Sequence, residues 1–374
     1  MTASEAGGYG GSRPRDSSGI RCTQMRGGTS RGLYFLAADL PAEPAERDKL
    51  LIAIMGSGHP LQIDGVGGGY PLTSKVAVVS LSQRDDADID YLFLQLGVDA
   101  PTITDKQNCG NILAGVGPFA VERGLISAGD ETTTTRIAMV NTGSVVTATF
   151  ATPGGVPEYA GKTAIDGVPG TAAPILLRFA DTAGSTTGAL LPTGSLVDII
   201  DGIEVSCVDN GMPVVVGRAA DFGITGYESV SELAASSELN ERVQSLRVQA
   251  GKLMGLGDVT ELSVPKTTLI SAPRDGGAIC TRTFIPVRLH TSIGVLGAIT
   301  VATSLRGGGT GAELASFPSS GHVVDVEHPT GHLEVEVDLD TSVSPPLVRS
   351  AGVIRTARKL FDGTVFPPLA YPPR

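Results

Sequence analysis

A cysteine stands between an asparagine and a glycine at the start of an almost wholly apolar stretch, QNCGNILAGVGPFAVERG, residues 107–124. If this stretch is a helix, Cys109 lies at its first position, N1, where the dipole and free N–H groups stabilise a thiolate and lower the thiol pKa. Cys109 is then a candidate acid or base. A buried cysteine that packs as a small hydrophobe is an equal alternative. The flanking Asn108, Gly110 and Asn111 favour an anion site, because glycine lets a ligand approach the backbone and asparagine adds donors.

A second candidate follows a glycine-rich loop in QIDGVGGGYPLTSKVAVV, residues 62–79. The loop leads directly into a strand, which would place Ser74 and Lys75 at the junction. A lysine beside apolar strand residues in a cleft can be desolvated until it is partly neutral near pH 7, as a general base needs. The more common alternative is a lysine that extends its charged end into solvent at a strand end.

Cationic and donor side chains that could hold a carboxylate occur in three further segments. Arginine with neighbouring hydroxyl and amide donors can bind a carboxylate through two parallel hydrogen bonds. Gly-Thr-Ser is also ordinary turn chemistry, and a histidine near an element boundary is more often structural, so both interpretations stay open. The candidates are Arg26, Thr29 and Ser30 in MRGGTSRG, Lys266 before the strand TTLISA, and Arg282, His290, Thr291 and Ser292 in ICTRTFIPVRLHTSIG.

The composition is typical of a globular protein rich in strands and tight turns. Of the 374 residues, 41% are hydrophobic and 18% are charged, with 49 glycines and 24 prolines. The net charge of -11 and the lack of a Lys/Arg run argue against a nucleic-acid surface. No apolar run approaches the roughly 20 residues needed to span a bilayer. A small acidic substrate remains compatible, because local donors matter more to it than global charge.

The cysteines and histidines indicate a cytoplasmic protein without a metal site. The four cysteines are widely scattered without CxxC spacing, which disfavours zinc and disulfides, and the five histidines form no HxH or HxxE cluster. Residues 1–20 lack the apolar core of a signal peptide and have the composition of a flexible tail. We expect no nucleic-acid or membrane partner. An acidic β protein of this type is often a dimer, so a homodimer is an open alternative.

Two β-rich halves each contain one helix that is apolar all round, which indicates an element buried on every side. These predicted helices span residues 108–124 and 291–307, have equal length and begin at a small polar capping residue. They indicate an internal repeat in which Cys109 corresponds to Ser292. If both helix N-termini face a cleft between the halves, that cleft would hold carboxylates.

The remaining pattern predicts two domains. Short β-rich runs bounded by turn residues recur from residue 76 to residue 340, and an amphipathic helix is predicted over residues 229–255. We place the boundary near residue 185, which gives domains of residues 21–185 and 186–357. The C-terminal residues 358–374 are expected to return and complete the first domain.

Six ordered motifs together resemble the PrpF family of isomerases, which have the diaminopimelate epimerase-like fold. They are MRGGTSRGLYF, QIDGVGGGYPLTSKVAVV, DKQNCGNILAGVGPFAVERG, YAGKTAIDGVPG, DNGMPVV and RTFIPVRLHTSIGVLGAITVAT, within residues 21–366. The resemblance implies an α+β fold of two similar domains, each a barrel-like sheet around a central buried helix, with the active site in the interdomain cleft. It also implies cofactor-independent proton transfer on an unsaturated di- or tricarboxylate, with the family's lysine at Lys75 and its cysteine at Cys109.

Within this family the motifs are most similar to the 4-oxalomesaconate tautomerases, or Δ-isomerases, of gallate and protocatechuate catabolism. Isomerisation of 2-methylaconitate or methylitaconate is the alternative, and a carboxylate-binding protein without chemistry is a remote one. The superfamily's amino-acid epimerases use two facing cysteines, whereas the second predicted helix here begins with Thr291 and Ser292. An amine and a thiol suit a proton shift along one allylic system, with keto-enol tautomerisation as the alternative and the roles of acid and base left open.

Overall fold

The computed structural model describes residues 19–106, 108–286, 288–318 and 321–368. The predicted flexible tail, residues 1–20, lies outside the described residues except for its last two. No helix in these ranges is long and apolar enough to cross a membrane.

The described residues form a long, mainly antiparallel network of strands with a few α-helices. The first-half strands are β1 (Ile20–Gly27), β2 (Ser30–Leu36), β3 (Lys75–Leu81), β4 (Ile89–Leu96), β5 (Ile103–Thr104), β6 (Thr132–Met139), β7 (Val145–Ala151) and β8 (Pro174–Phe179). The others are β9 (Asp198–Ile200), β10 (Ile203–Asp209), β11 (Pro213–Arg218), β12 (Lys266–Ser271), β13 (Ile279–Ile285), β14 (Arg288–Leu289), β15 (Val323–His328), β16 (Gly331–Asp340) and β17 (Leu347–Val365). The helices are α1 (Pro44–Met55), α2 (Gly110–Leu113), α3 (Val116–Glu122), α4 (Val230–Ala235), α5 (Ser237–Leu253) and α6 (Val295–Arg306).

The first-half strands close into a barrel. The ring of neighbours runs β1–β2–β3–β4–β6–β7–β8–β17 and returns to β1. Only the β2–β3 and β4–β6 pairs in this ring are parallel. Closure leaves these eight strands without a free edge in the ring.

The second half repeats the same order of pairings. Strands β10 to β17 pair as β1 to β8 do, with the parallel pairs β11–β12 and β13–β15 at the corresponding places. The repeat suggested by the two apolar helices is therefore visible in the strands. The long strand β17 belongs to both patterns, because its residues 347–353 pair with β16, residues 351–356 with β8 and residues 357–365 with β1.

The apolar helices lie at corresponding places in the repeat and share one core. α2 and α3 lie between β5 and β6 along the chain, and α6 lies between β14 and β15. A single cluster of buried residues includes Ile112 and Phe119 from the first half and Ile299 and Val301 from the second. The two halves therefore pack around a continuous apolar interior.

Both apolar helices begin later than predicted. Cys109 has extended backbone angles, φ -131° and ψ 99°, so it is the N-cap residue and the prediction of N1 is wrong. The second helix has Gly294 as N-cap, so Gly294, and not Ser292, corresponds to Cys109. Before this helix, the backbone N–H of Ser292 donates to Nδ1 of His290 at 2.9 Å, a local contact of the non-helical loop.

The predicted amphipathic helix of residues 229–255 is two helices, α4 and α5. Ser229 caps the first in a reciprocal arrangement with Glu232, and the side chain of Ser236 caps the second by accepting from Leu239 N. Ser236 itself is extended, so the chain turns between the two helices. A second serine cap thus divides what the apolar periodicity predicts as one element.

The start of α2 is held tightly against the inside of the barrel. The Tyr34 hydroxyl on β2 donates to the carbonyl oxygen of Ile112 at 2.5 Å, and the Tyr91 hydroxyl on β4 donates to that of Cys109 at 3.2 Å. The backbone of α2 also approaches β1 at Gly27, where any Cβ would clash with the Asn111 carbonyl oxygen. The position of Cys109 is therefore fixed by the barrel wall.

We predict that Gly27→Ala lowers the free energy of unfolding by about 1–3 kcal/mol, because its methyl group forces two backbone segments apart. Gly110→Ala is the matched control, since a Cβ there meets nothing within 4 Å and alanine favours the helix. Urea unfolding of both variants measures the difference. Equal stability of the two variants would show that the α2 backbone can move away from residue 27 at no cost in free energy.

Candidate active site

A cavity of about 770 Å³ lies where the starts of α2 and α6 approach each other. We call it the thiol cavity, because the Cys109 side chain lines it together with residues of both halves of the repeat. The lining includes Thr29, residues 108–111, residues 164–167, residues 292–295, Asp325, His328, Thr330, residues 332–334, Ile354 and Arg355. Both N-cap residues, Cys109 and Gly294, therefore open onto the same space.

Cys109 differs from the other cysteines in its surroundings. It is partly exposed and lines the thiol cavity, whereas Cys22, Cys207 and Cys280 are buried. Burial raises the pKa of the Cys22 thiol to about 11 and that of Cys207 to about 12, and it also raises the pKa of Cys280. The thiol that a ligand in this cavity can reach is thus the one at the start of α2.

Lys75 begins β3 as predicted and is almost fully buried, with 7% of its surface exposed. Its Nζ donates to Oε1 of Gln95 at 2.8 Å and lies 5.1 Å from the centre of the Phe93 ring. Gln95 is itself fixed, because its Nε2 donates to three backbone carbonyls at 3.0–3.1 Å. An amide oxygen and an aromatic face are contacts that suit an amine able to carry a charge.

Lys75 lies on the side of the sheet that faces α2. Strand residues alternate between faces, and Ala77 and Val79 belong to the same apolar cluster as Ile112. Phe93, under the Lys75 amine, is next to Tyr91, whose hydroxyl holds the Cys109 carbonyl. Lys75 is not among the described residues that line the thiol cavity.

The second half contributes a hydroxyl–imidazole pair that the sequence did not reveal. The Ser292 Oγ and the His328 Nε2 are 3.1 Å apart. Burial lowers the pKa of His328. A neighbouring histidine, His332, lies 2.9 Å from an Asp325 carboxylate oxygen; burial alone would lower its pKa, but this hydrogen bond and charge raise it. Asp325 and His328 lie in β15 and His332 lies in β16, so the register of this hairpin places His332 beside Asp325.

Arg355 is a second residue that sequence reasoning missed. It lies in β17, lines the thiol cavity and also lines an adjoining cavity of about 410 Å³. Burial lowers the pKa of its guanidinium to about 10, and the nearby Cys109 acts in the opposite direction. Its Nη1 donates to the Ile354 carbonyl at 3.0 Å, and no carboxylate of the described residues forms an ion pair with it. Its remaining donors are available to an anion in the cavity.

The structure brings about half of the predicted site residues together. Those lining the thiol cavity are Thr29, Asn108, Cys109, Gly110, Asn111 and Ser292. Arg26 and Ser30 line a neighbouring cavity instead. Six further predicted residues also do not line the thiol cavity: Ser74, Lys75, Lys266, Arg282, His290 and Thr291.

Several of these outlying residues have structural partners. The buried Ser74 hydroxyl donates to Gln62 Oε1 and lies within hydrogen-bond distance of the Tyr70 carbonyl, both at 2.9 Å, which secures the glycine-rich loop. Arg282 donates to the backbone carbonyls of Glu228 and Thr281, so its guanidinium is used away from the cavity. His290 accepts from Ser292, and the Thr291 carbonyl accepts from the Thr330 hydroxyl. Burial and the nearby Arg247 lower the pKa of Lys266.

The pKa shifts of His328 and His332 predict opposite effects of pH on the free energy of unfolding. Because the folded-state pKa of His332 is raised above 6.5, its contribution is present below that pH and is lost as pH rises through the folded pKa. His328 has a lowered pKa, so it costs stability as pH falls below 6.5. We therefore expect His332→Gln to destabilise more at about pH 5.5 than at about pH 8.5, and His328→Gln to do the reverse. Urea unfolding at both pH values checks this, and parallel pH dependences would contradict it.

Comparison with known proteins gives a family match and several close relatives. The PrpF protein family model matches residues 18–368. The (4E)-oxalomesaconate Delta-isomerase of Novosphingobium sp. (strain KA1) is 56% identical and covers 95% of this chain and 99% of its own. The 4-oxalomesaconate tautomerase of Pseudomonas putida is 53% identical, with 92% and 95% covered. The 3-methylitaconate isomerase of Eubacterium barkeri is 33% identical, with 94% and 98% covered.

The fold is also that of a solved relative. The crystal structure of methylitaconate-delta-isomerase superposes with a TM-score of 0.85 at 32% identity and covers 94% of this chain and 96% of its own. These matches confirm the resemblance that the six motifs indicate.

Proposed function

This chain belongs to the PrpF protein family, and we propose that it isomerises 4-oxalomesaconate by moving a proton within this unsaturated tricarboxylate, with Lys75 and Cys109 as the acid–base pair. The protein is an isomerase, as its relatives are by name. The identities of 56% and 53% to relatives named for 4-oxalomesaconate, against 33% to the one named for 3-methylitaconate, favour the tricarboxylate.

The position of Cys109 carries this assignment. Its thiol lies at the N-cap of α2, on a cavity that both halves of the repeat line, and its backbone is held by Tyr91. Gly294 at the corresponding N-cap has no functional group. One thiol facing a glycine cannot perform a symmetric two-thiol exchange, so a partner of another type is needed. Lys75 supplies an amine on the inner face of the same barrel.

The reaction follows from removing and returning one proton. One group of the pair removes a proton from a carbon activated by a neighbouring carbonyl or carboxylate, and the electron pair spreads over the double bond as a dienolate. The other group adds a proton at the far end of the same allylic system, which moves the double bond. The overall composition is unchanged, so no oxidant or reductant is consumed, and reversing the direction exchanges the two roles.

Arg355 and the polar residues of the cavity are assigned to binding. The Arg355 guanidinium would hold one substrate carboxylate and stabilise the charge that develops on it. Ser292, with His328 behind it, would donate to another carboxylate from the opposite wall. Asn111 and Thr29 are already joined, because the Asn111 Nδ2 donates to the Thr29 Oγ1 at 2.9 Å, and they would border the substrate on the first-half side.

The thiol cavity lies, in this proposal, between two domains. The first comprises residues 21–185 completed by the C-terminal segment from residue 358, and the second comprises residues 186–357. The pairing of β17 with β1, β8 and β16 supports this division, because one strand then joins both domains. All four cysteines are free, which fits the cytoplasmic location that we propose.

We predict that Lys75→Met and Cys109→Ser each lower turnover of 4-oxalomesaconate by roughly 10²-fold or more, because each removes one proton carrier. Cys280→Ser is the control, since it replaces a buried thiol outside the cavity and should leave turnover unchanged. Incubation in D2O, followed by proton NMR, tests the substrate: allylic protons of 4-oxalomesaconate should exchange faster than those of 2-methylaconitate or methylitaconate. No exchange with any of the three acids would leave a binding protein as the better assignment.

Arg355→Gln is expected to raise KM by about 10- to 100-fold, which corresponds to a lost charge-assisted hydrogen bond of about 1.5–3 kcal/mol. Arg355→Lys keeps the charge without the planar donors and should recover part of the loss. Arg349→Gln changes an exposed arginine of the same strand, paired with Asp340, and should have KM near the wild-type value. Steady-state kinetics with all three variants would contradict the assignment if Arg355→Gln kept the KM of Arg349→Gln.

A further inference from the structure

Three arginines form a row across neighbouring strands on the outer face of the barrel. In the register, Arg26 on β1 lies directly opposite Arg31 on β2 and opposite Arg358 on β17. Directly opposed residues of antiparallel strands point to the same face, and adjacent strands are about 4.8 Å apart, so the three side chains start within about 10 Å. Gly27 and Gly32, which alternate with them, face Asn111 and Ile112 of α2, so the arginines point away from the thiol cavity.

Like charges placed directly opposite each other destabilise a sheet, and no acidic residue of the described ranges pairs with this row. None of the three arginines forms an ion pair with any described carboxylate, although the chain has 39 acidic residues. Arg26 donates to the backbone carbonyls of Gly28 and Thr356 and to the Thr356 hydroxyl. The buried Nε of Arg31 has no hydrogen-bond partner among the described residues. Burial and the charge of Arg358 lower the pKa of Arg26.

The row borders a cavity of about 590 Å³, which we call the arginine cavity. Its described lining contains no aspartate or glutamate. Hydroxyl groups add donors to the cations, and apolar side chains complete the wall. The hydroxyl residues are Thr29, Ser30, Thr73, Tyr159, Thr163, Thr171 and Thr356, and the apolar residues include Ile165, Val168, Pro169 and Leu360.

This combination selects a class of ligand. Planar guanidinium groups in a row match several carboxylates, each through two parallel hydrogen bonds. The volume and the apolar wall exceed what inorganic phosphate would use, and they suit a short carbon skeleton that carries the acidic groups. We propose that the arginine cavity is a second anion site, separate from the thiol cavity, that binds a small di- or tricarboxylate.

The two cavities share part of a wall. Thr29, Ile165 and Gly167 line both, and the Thr29 hydroxyl accepts a hydrogen bond from Asn111 at 2.9 Å. A ligand in the arginine cavity would therefore contact the residue that borders the thiol cavity. The two sites remain separable by mutation, since Arg358 lies on the outer face and Arg355 lines the thiol cavity.

Calorimetric titration with tricarballylate, a saturated tricarboxylate that cannot isomerise, tests this site on the full chain. At low ionic strength the wild-type protein should bind two molecules. Arg358→Gln and Arg31→Gln should each weaken one of the two binding steps by at least about 10-fold, as a lost charge-assisted contact requires, while turnover of the substrate stays near wild type. Arg21→Gln changes an exposed arginine of the same strand β1 and should leave both binding steps unchanged.

A single binding step in the wild-type protein would overturn the second site, and so would two steps that Arg358→Gln leaves unaltered. The site would also be overturned if inorganic phosphate bound as tightly as tricarballylate and Arg358→Gln abolished the binding of both ligands. Glutarate binding more weakly than tricarballylate, with the same sensitivity to Arg358→Gln, supports it. Arg358→Gln should exchange the allylic protons of 4-oxalomesaconate in D2O at the wild-type rate. The loss of the second site can then be distinguished from a failure of the proposed isomerase mechanism.

Discussion

Two buried tyrosine hydroxyls fix the start of α2, where the thiol that we propose as catalytic lies. Tyr34 and Tyr91 extend from the barrel wall and donate to the carbonyl oxygens of Ile112 and Cys109 at the start of α2. Burial raises the pKa of both phenols well above the usual value, so both remain neutral donors over the whole working range of pH. These directional contacts add to the apolar packing around α2 and fix its height in the barrel. The thiol at its N-cap therefore has one position relative to the opposite wall.

The repeated strand order allows corresponding positions of the two halves to be compared, and the residues at the two helix N-caps differ. Corresponding strands pair in the same sequence, yet the two N-cap residues are Cys109 and Gly294. A symmetric backbone thus presents an asymmetric pair of groups to the cavity. In the second half, the helix begins only at Val295, and Ser292 lies in the preceding loop, with its N–H bonded to His290 and its hydroxyl beside His328. The hydroxyl that sequence alone places at a helix start consequently lies in a loop that lines the thiol cavity.

Local patterns were enough to predict most strands and the apolar helix α6, because turn residues bound short apolar runs and all-apolar helices are buried. The other predicted apolar helix is divided into α2 and α3, with residues 114–115 between them. The exact helix starts were not predictable, since the contact between His290 and Ser292 depends on a side-chain conformation. The Gln95 partner of Lys75 comes from the neighbouring strand, and the pairing of His332 with Asp325 depends on hairpin register. Apolar and polar residues alternate poorly along the long strand β17, because its successive segments have different neighbours. The sequence pattern therefore did not predict that Arg355 lines the thiol cavity.

Strand β17 also explains how cations reach two separate cavities. Its inward-facing residues include Ala351, Val353 and Ala357, which belong to the central apolar cluster. Arg355 has the same parity and reaches the thiol cavity, whereas Arg358 has the opposite parity and opposes Arg26. A slip of one residue would exchange these faces and would place Arg358 inside the barrel. Simultaneous pairing with β1, β8 and β16 opposes such a slip, because all three ladders would have to break together. The strand that joins the two halves of the repeat thereby also keeps the two sets of arginines on their own sides of the sheet.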